Sequence, residues 1–231
     1  MPSRRSRETF DARILACGDD MLSVSPDDPR ACQVLADRLR DSGDWLESVA
    51  GIDSIVVQFD NATIDTDTAT KRLDDELKQV PDASDKESAL AELPICYGGE
   101  FGPDLGDICE QLDLTRDEFV ALHAGREYRI DMLGFTPGFA YVGGLDDALN
   151  VPRRKQPRVR VEAGSVGIAD GRSGIYALAG PGGWPLIGRT PLKLFDASTA
   201  DPFRLHAGMR VRFRPVQRDE FDAIVDTILQ S

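Results

Sequence analysis

Lysine is scarce in this chain, with five among 231 residues against 22 arginines, and histidine occurs only twice, as His123 and His206. No Gly-x4-Gly-Lys-Ser/Thr loop, no Gly-x-Gly-x-x-Gly after a strand and no HExxH helix is present, so the chain is not by itself an obvious nucleotide or zinc enzyme. The four cysteines (Cys17, Cys32, Cys96, Cys109) show no CxxC spacing. That argues against a zinc site and a disulfide framework, and they read as small buried apolar residues. No stretch approaches the ~18 consecutive apolar residues of a membrane span. The start, MPSRRSRETF, has two adjacent arginines without an apolar run behind them, so no membrane association and a cytoplasmic location are expected.

What the chain has in excess is acid. Net charge is −13, built from 29 Asp and 11 Glu against the 27 bases. Such a surface stays hydrated and self-repelling where salt shortens the Debye length to about 3 Å, so a salt-loving source is one reading and an ordinary acidic protein the other. The charge reverses along the chain: residues 1 to 92 carry 21 acids and 11 bases, residues 151 to 215 carry 4 acids and 12 bases. A basic segment kept in an acidic protein points to an anion held there, whether phosphate, carboxylate or a partner's acidic face. Nucleic acid is not expected, because the rest of the molecule would repel a phosphate backbone.

Pattern divides the chain in two. "TFDARILACGDDMLSVS" reads as two strands about a Gly-Asp-Asp turn. "DDPRACQVLADRLRDSG" reads as a helix with Asp28 as N-cap, Pro29 in its first turn and Gly43 as stop. A strand in "IDSIVVQFD" and a helix with Ala69, Leu73, Leu77 and Val80 on one face complete a small two-layer α+β domain over residues 1–90, with its boundary within 81 to 92. Residues 91–231 then open with "LTRDEFVALHAG", a helix with a Thr115–Glu118 capping box and Gly125 as stop. Short strands follow in "EYRIDML", "RVRVEAGSVGIA", "SGIYALA", "PLKLF" and "RVRFRPV", the pattern of a barrel or sandwich, and the tail "DEFDAIVDTILQS" reads as a helix. In "RVRV", Arg158 and Arg160 should share one strand face and Val159 and Val161 the other.

The candidate chemistry lies in a glycine, proline and arginine framework: "GFTPGFAYVGGL" and "PRRKQPRVRVEAGSVGIADGRSGIYALAGPGGWPLIGRTPLKLFD". These stretches, with "LPICYGGEFGPDL", resemble the family that includes the 5-oxoprolinase B subunit, the kinase inhibitor KipI and allophanate hydrolase subunit 1, the carboxyltransferase domain, subdomain C/D. The resemblance runs colinearly from about Leu93 to Pro215. It implies a cyclophilin-like β-barrel for residues 91–231 behind the N-terminal domain. It also implies partners, namely the paralogous oxoprolinase C subunit or allophanate hydrolase subunit 2, and the LamB/YcsF-like A subunit. The implied reaction is ATP-driven opening of 5-oxo-L-proline to L-glutamate, with ATP bound in the complex and not necessarily by this chain. KipI-like inhibition of a sensor histidine kinase and a urea or allophanate carboxyltransferase role share the same motifs and stay open as alternatives.

Candidate residues follow. Arg160 and Arg189 lie inside intact motifs and suit a carboxylate or phosphate; Arg154 is a substrate ligand candidate, while Arg153 and Arg158 could equally be solvated or paired with Asp. His123 matches the family's His-x4-Tyr spacing before Tyr128 and reads either as general base or substrate ligand, or as a dipole partner in a helix's last turn. Ser165 beside Gly164 could present amides to an anion or mark a barrel corner. Phe135, Pro137, Phe139 and Tyr141 would floor a groove, and Trp184 would wall it or sit in the core. Two departures from the family bear on the substrate: Arg172 where many members have Gln, and Glu162 where they have Pro. His206 reads as a surface residue.

Overall fold

The structure, a computed structural model, describes residues 13–26, 31–78 and 90–230. The chain forms two compact units, Met1–Lys86 and Glu87–Ser231. Asp28, Pro29, Val80 and most of the expected 81–92 boundary lie outside the described residues.

The first unit is a four-stranded antiparallel sheet of β1 (Arg13–Ala16), β2 (Met21–Ser25), β3 (Glu47–Ala50) and β4 (Ile55–Gln58) in the order β1-β2-β4-β3. Two helices, α1 (Ala31–Ser42) and α2 (Thr66–Leu77), cover one face. Alternate residues Leu22, Val24, Ile55 and Val57 meet Leu35, Leu39, Ala69, Leu73 and Leu77 in a single core layer. Gly43, at φ +74°, stops α1 in the left-handed region that glycine tolerates. The edge strand β3 carries only Val49 and Ala50 as apolar residues, too few for a period, and the sequence reading passes over it.

The second unit is a closed seven-stranded barrel. Its strands are β5 (Leu90–Tyr97), β6 (Glu127–Leu133), β7 (Ala140–Gly143), β9 (Ser165–Ala169), β10 (Arg172–Ile175), β12 (Leu186–Arg189) and β13 (Arg210–Pro215), in the order β10-β7-β6-β13-β5-β12-β9. Only β13 and β5 pair in parallel. A separate ribbon joins β8 (Arg158–Val161) to β11 (Gly180–Gly182). The fold is therefore α+β, as the element pattern leads one to expect. Every second residue points inward: Leu93, Ile95 and Tyr97, Tyr128 and Ile130, Ala140 and Val142, Val166 and Ile168, Val211 and Phe213. Helices α3 (Leu105–Leu112), α4 (Arg116–Ala124) and α5 (Arg218–Gln230) complete the unit.

Three local readings change. "PLKLF" forms no strand; its backbone makes an isolated Phe195–Phe203 bridge, and Asp196 N–H donates to Pro202 O across a loop. Val159 and Val161 do not share an environment, because the β8–β11 ladder shifts register and leaves Val159 93% exposed with Val161 buried. Gly125 closes α4 at φ −75°, so its need for glycine is space: a Cβ there would lie 2.5 Å from Ala121 O.

His123 sits at the end of α4 and is wholly buried. One ring nitrogen, Nδ1, lies 2.7 Å from Tyr97 Oη and the other, Nε2, lies 2.9 Å from Ser173 Oγ, so the ring bridges β5 and β10 while stacking on Phe213. Burial lowers its pKa to about 3. The folded value thus lies below the ordinary one near 6.5, and the unfolded chain takes up the proton first. Stability from this group is full above about pH 6.5 and is lost as pH falls toward 3. Chemical denaturation at pH 7 and pH 5 should show the second unit losing about 2 kcal/mol from this source, and His123→Gln should flatten that difference.

Candidate functional site

In the motif "GFTPGFAYVGG", residues 134–139 leave the barrel between β6 and β7, and "AYVG" is β7 itself. Gly134 N–H donates to Phe139 O and Phe139 N–H to Thr136 O, closing a tight loop. Phe135 holds φ +69°, a left-handed conformation rare for an aromatic residue, and is 62% exposed. Gly138, at φ +73°, lies where a Cβ would come 2.9 Å from Ala177 Cβ. The buried Thr136 hydroxyl has no hydrogen-bond partner among the described residues.

Beyond the loop, the inward alternation of β7 buries Ala140 and Val142 in the barrel, and Tyr141 projects from the outer face. There a second core forms from Phe139, Tyr176, Trp184, Val161, Ala169 and Leu186. Phe139 meets Phe135, Tyr141, Tyr176 and Trp184 edge-on at centroid distances of 5.5, 4.8, 4.9 and 5.8 Å. The rings lie close because the strand positions beneath them are glycines. A Cβ on Gly174 would sit 2.8 Å from both Phe139 and Trp184, and one on Gly182 2.4 Å from Tyr176 Oη. The result is an aromatic shelf on the barrel wall, with Pro137 and Phe135 exposed at its loop end.

Cations surround the shelf. The Arg153 guanidinium lies 5.6 Å over the Trp184 ring and pairs with Asp170. Arg172 projects from the outer face of β10 and contacts Asp131 at 3.3 Å, over Gly143. Burial raises the Asp131 pKa, with Arg172 working against it. Arg154 donates to Asp104, which Arg158 grips with two further bonds. The structure therefore gathers Phe135, Phe139, Tyr141, Trp184, Arg153 and Arg154 in one neighbourhood, with Arg172 on the same outer face of the sheet.

Other candidates lie elsewhere or are differently engaged. His123 belongs to the end of the barrel formed by the C-terminus of β5 and the N-terminus of β10, opposite the loop, and both ring nitrogens are spent inside the core. Full burial with both nitrogens bonded to core side chains favours the structural reading of His123 over that of general base or substrate ligand. Arg160 is exposed and held by Glu162 at 2.6 Å, and Arg189 donates to Ala163 O at 2.8 Å. The amides at the Ser165 turn are used: Gly164 N–H donates to Tyr176 O and Ser165 N–H to Glu162 O. A Cβ on Gly164 would come 2.4 Å from Thr190 O, so this turn is a barrel corner rather than an anion nest. His206 is exposed and lies 3.3 Å from Asp201. Sequence reasoning missed Asp104 and Tyr176; the run Pro103-Asp104-Leu105 ahead of Ile108 and Cys109 at helical spacing is the signal that could have located Asp104 at the head of α3.

Replacing Gly174 by Ala forces Phe139 and Trp184 apart. The expected outcome is a loss of near-ultraviolet circular dichroism from the shelf with the far-ultraviolet spectrum kept; an unchanged aromatic signal would contradict the packing described.

Known proteins share this architecture. The family described as carboxyltransferase domain, subdomain C and D, matches residues 12–205. A protein of Escherichia coli O157:H7, named as the 5-oxoprolinase B subunit, is 42% identical over 181 residues, 78% of this chain and 83% of that one. A conserved uncharacterized protein of Pyrococcus horikoshii, PH0987, has a similar structure with TM-score 0.56 and 34% identity, covering 90% of this chain and all of that one. The urea amidolyase of Kluyveromyces lactis shares the fold at TM-score 0.72 and 18% identity, over 96% of this chain and 16% of that one. On the family match and the E. coli relative together, the chain belongs to the carboxyltransferase subdomain C and D family.

Proposed function

We propose that this chain is one subunit of an ATP-dependent 5-oxoprolinase, which opens 5-oxo-L-proline to L-glutamate with ATP hydrolysis and works only in complex. The observation that carries this reading is the 42% identity across 83% of the E. coli protein named as the 5-oxoprolinase B subunit. The partners would be the paralogous C subunit and the LamB/YcsF-like A subunit.

The shelf suits such a substrate. A five-membered lactam offers flat apolar faces to Tyr141 and Phe135, and its carboxylate suits a guanidinium. Arg172 would add positive charge along the same wall. The sequence holds no P-loop, and at the Ser165 turn the amides of Gly164 and Ser165 are spent internally. We assign the nucleotide to the partner subunits. The lactam is an unstrained amide and a poor electrophile, which is why its opening is coupled to ATP. The exposed Arg160 and the half-buried Arg189 are the cations of this chain proposed to face the assembled reaction centre.

Co-expression with the two partner subunits should give ATP-dependent glutamate release from 5-oxoproline. Tyr141→Ala should raise KM roughly tenfold with a smaller change in kcat, as expected for about 1.4 kcal/mol of lost ring contact. Turnover of urea or allophanate in place of 5-oxoproline would overturn the reading.

A further inference from the structure

Asp104 stands at the start of α3 and is the most heavily bonded carboxylate among the described residues. Oδ1 accepts from Arg154 Nη1 at 2.8 Å and Arg158 Nη2 at 2.7 Å; Oδ2 accepts from Arg158 Nη1 at 2.8 Å and Leu186 N–H at 2.6 Å. Burial by itself raises its pKa, yet the bonds from Arg158 and Leu186, with Arg154 behind them, more than offset this and hold it ionised. Its side chain is 10% exposed, whereas those of Arg154 and Arg158 are 36% and 23% exposed. One carboxylate thus faces two guanidiniums, leaving a net positive charge in a half-buried place.

Arg154 is pinned at a second point, since its backbone N–H donates to Gly183 O at 2.8 Å, next to Trp184 of the shelf. It spends one nitrogen on Asp104, and Nε and Nη2 have no acceptor among the described residues. A guanidinium fork whose position is fixed and whose remaining donors are unspent fits an oxyanion, because the entropy of ordering it is already lost in folding.

We infer that Asp104 is a positioning residue that presents Arg154, with Arg158 beside it, as a receptor for an oxyanion at the edge of the aromatic shelf. Resting on the function proposed above, the anion is the carboxylate of 5-oxoproline. Asp104 acts by geometry rather than by charge, and the two roles predict opposite results. Removing its charge would strengthen anion binding if it only neutralised the arginines; it weakens binding if it holds them in place.

The experiment uses the assembled complex for KM and the full chain, followed by tryptophan fluorescence, for binding. The probes are 5-oxo-L-proline, 2-pyrrolidinone (the same lactam without a carboxylate) and inorganic phosphate. Wild type should prefer 5-oxoproline over 2-pyrrolidinone by at least about tenfold, and Arg154→Ala should abolish the preference. Asp104→Asn should raise KM for 5-oxoproline about tenfold with kcat changed less, and Asp104→Glu should recover part of the loss. Unchanged or tighter anion binding in Asp104→Asn overturns the inference. Should that variant not fold, Arg154→Lys decides: a point charge keeps the preference if charge alone matters, which also overturns it, and loses it if the fork matters. Unchanged 5-oxoproline kinetics in Arg154→Ala would defeat the inference and leave the proposed function standing. No turnover of 5-oxoproline, with phosphate binding that still depends on Asp104, would defeat the proposed function and leave the receptor standing.

Discussion

Gly174 has no side chain, and the outer core of the barrel unit depends on that. Its strand buries Ser173 and Ile175 toward the barrel interior, so Gly174 necessarily points outward. Phe139 and Trp184 descend to where a Cβ would be, 2.8 Å from each ring. Gly167, its partner across β9, gives the same clearance to the Trp184 side chain at 3.0 Å, and Gly182 admits the Tyr176 hydroxyl. Several aromatic side chains can therefore lie on a sheet face that would ordinarily be solvated, and one of them, Phe135, is held out in a left-handed backbone at the shelf's end.

The polar parts of the unit are sorted by the same economy. Buried groups such as His123, with Tyr97 and Ser173, and Asp104, with two arginines and a backbone amide, are paired completely. Such saturation fixes the elements that carry it, α4 against the barrel and the 153–158 segment against β12. Around the shelf, Arg154 has donors with no acceptor among the described residues and Asp131 meets Arg172 through one 3.3 Å contact. Incomplete pairing beside an apolar floor is the arrangement a small polar ligand completes.

Much of the fold was legible in the sequence because period and punctuation agree. The capping box at Thr115 and Glu118 forms as the spacing requires, and "EYRIDML" and "RVRFRPV" are strands whose alternate residues point inward. Elements were missed where the signal is short. The eight-residue α3 has barely two turns to display a period, β3 is an edge strand of four residues, and the longer β5 is masked by Pro94 in the middle of "LAELPICY". The site was legible as a set of motifs but not as roles. Nothing in "HAGREY" tells that His123 turns into the barrel, and Gly164 and Ser165 read alike as a nest or a corner until the acceptors of their amides are known. Asp104 is not legible in the sequence because its partners are about fifty and eighty residues away, at Arg154, Arg158 and Leu186.

Docking of a small anionic lactam on the shelf is the central claim, and the chain carries its own reporters for it. It holds two tryptophans, Trp184 in the shelf and Trp45 in the core of the first unit, so fluorotryptophan NMR reads both at once. On titrating the assembled protein with 5-oxo-L-proline, the Trp184 resonance should shift saturably and the Trp45 resonance should stay. A saturating ligand that leaves Trp184 unmoved would contradict the claim.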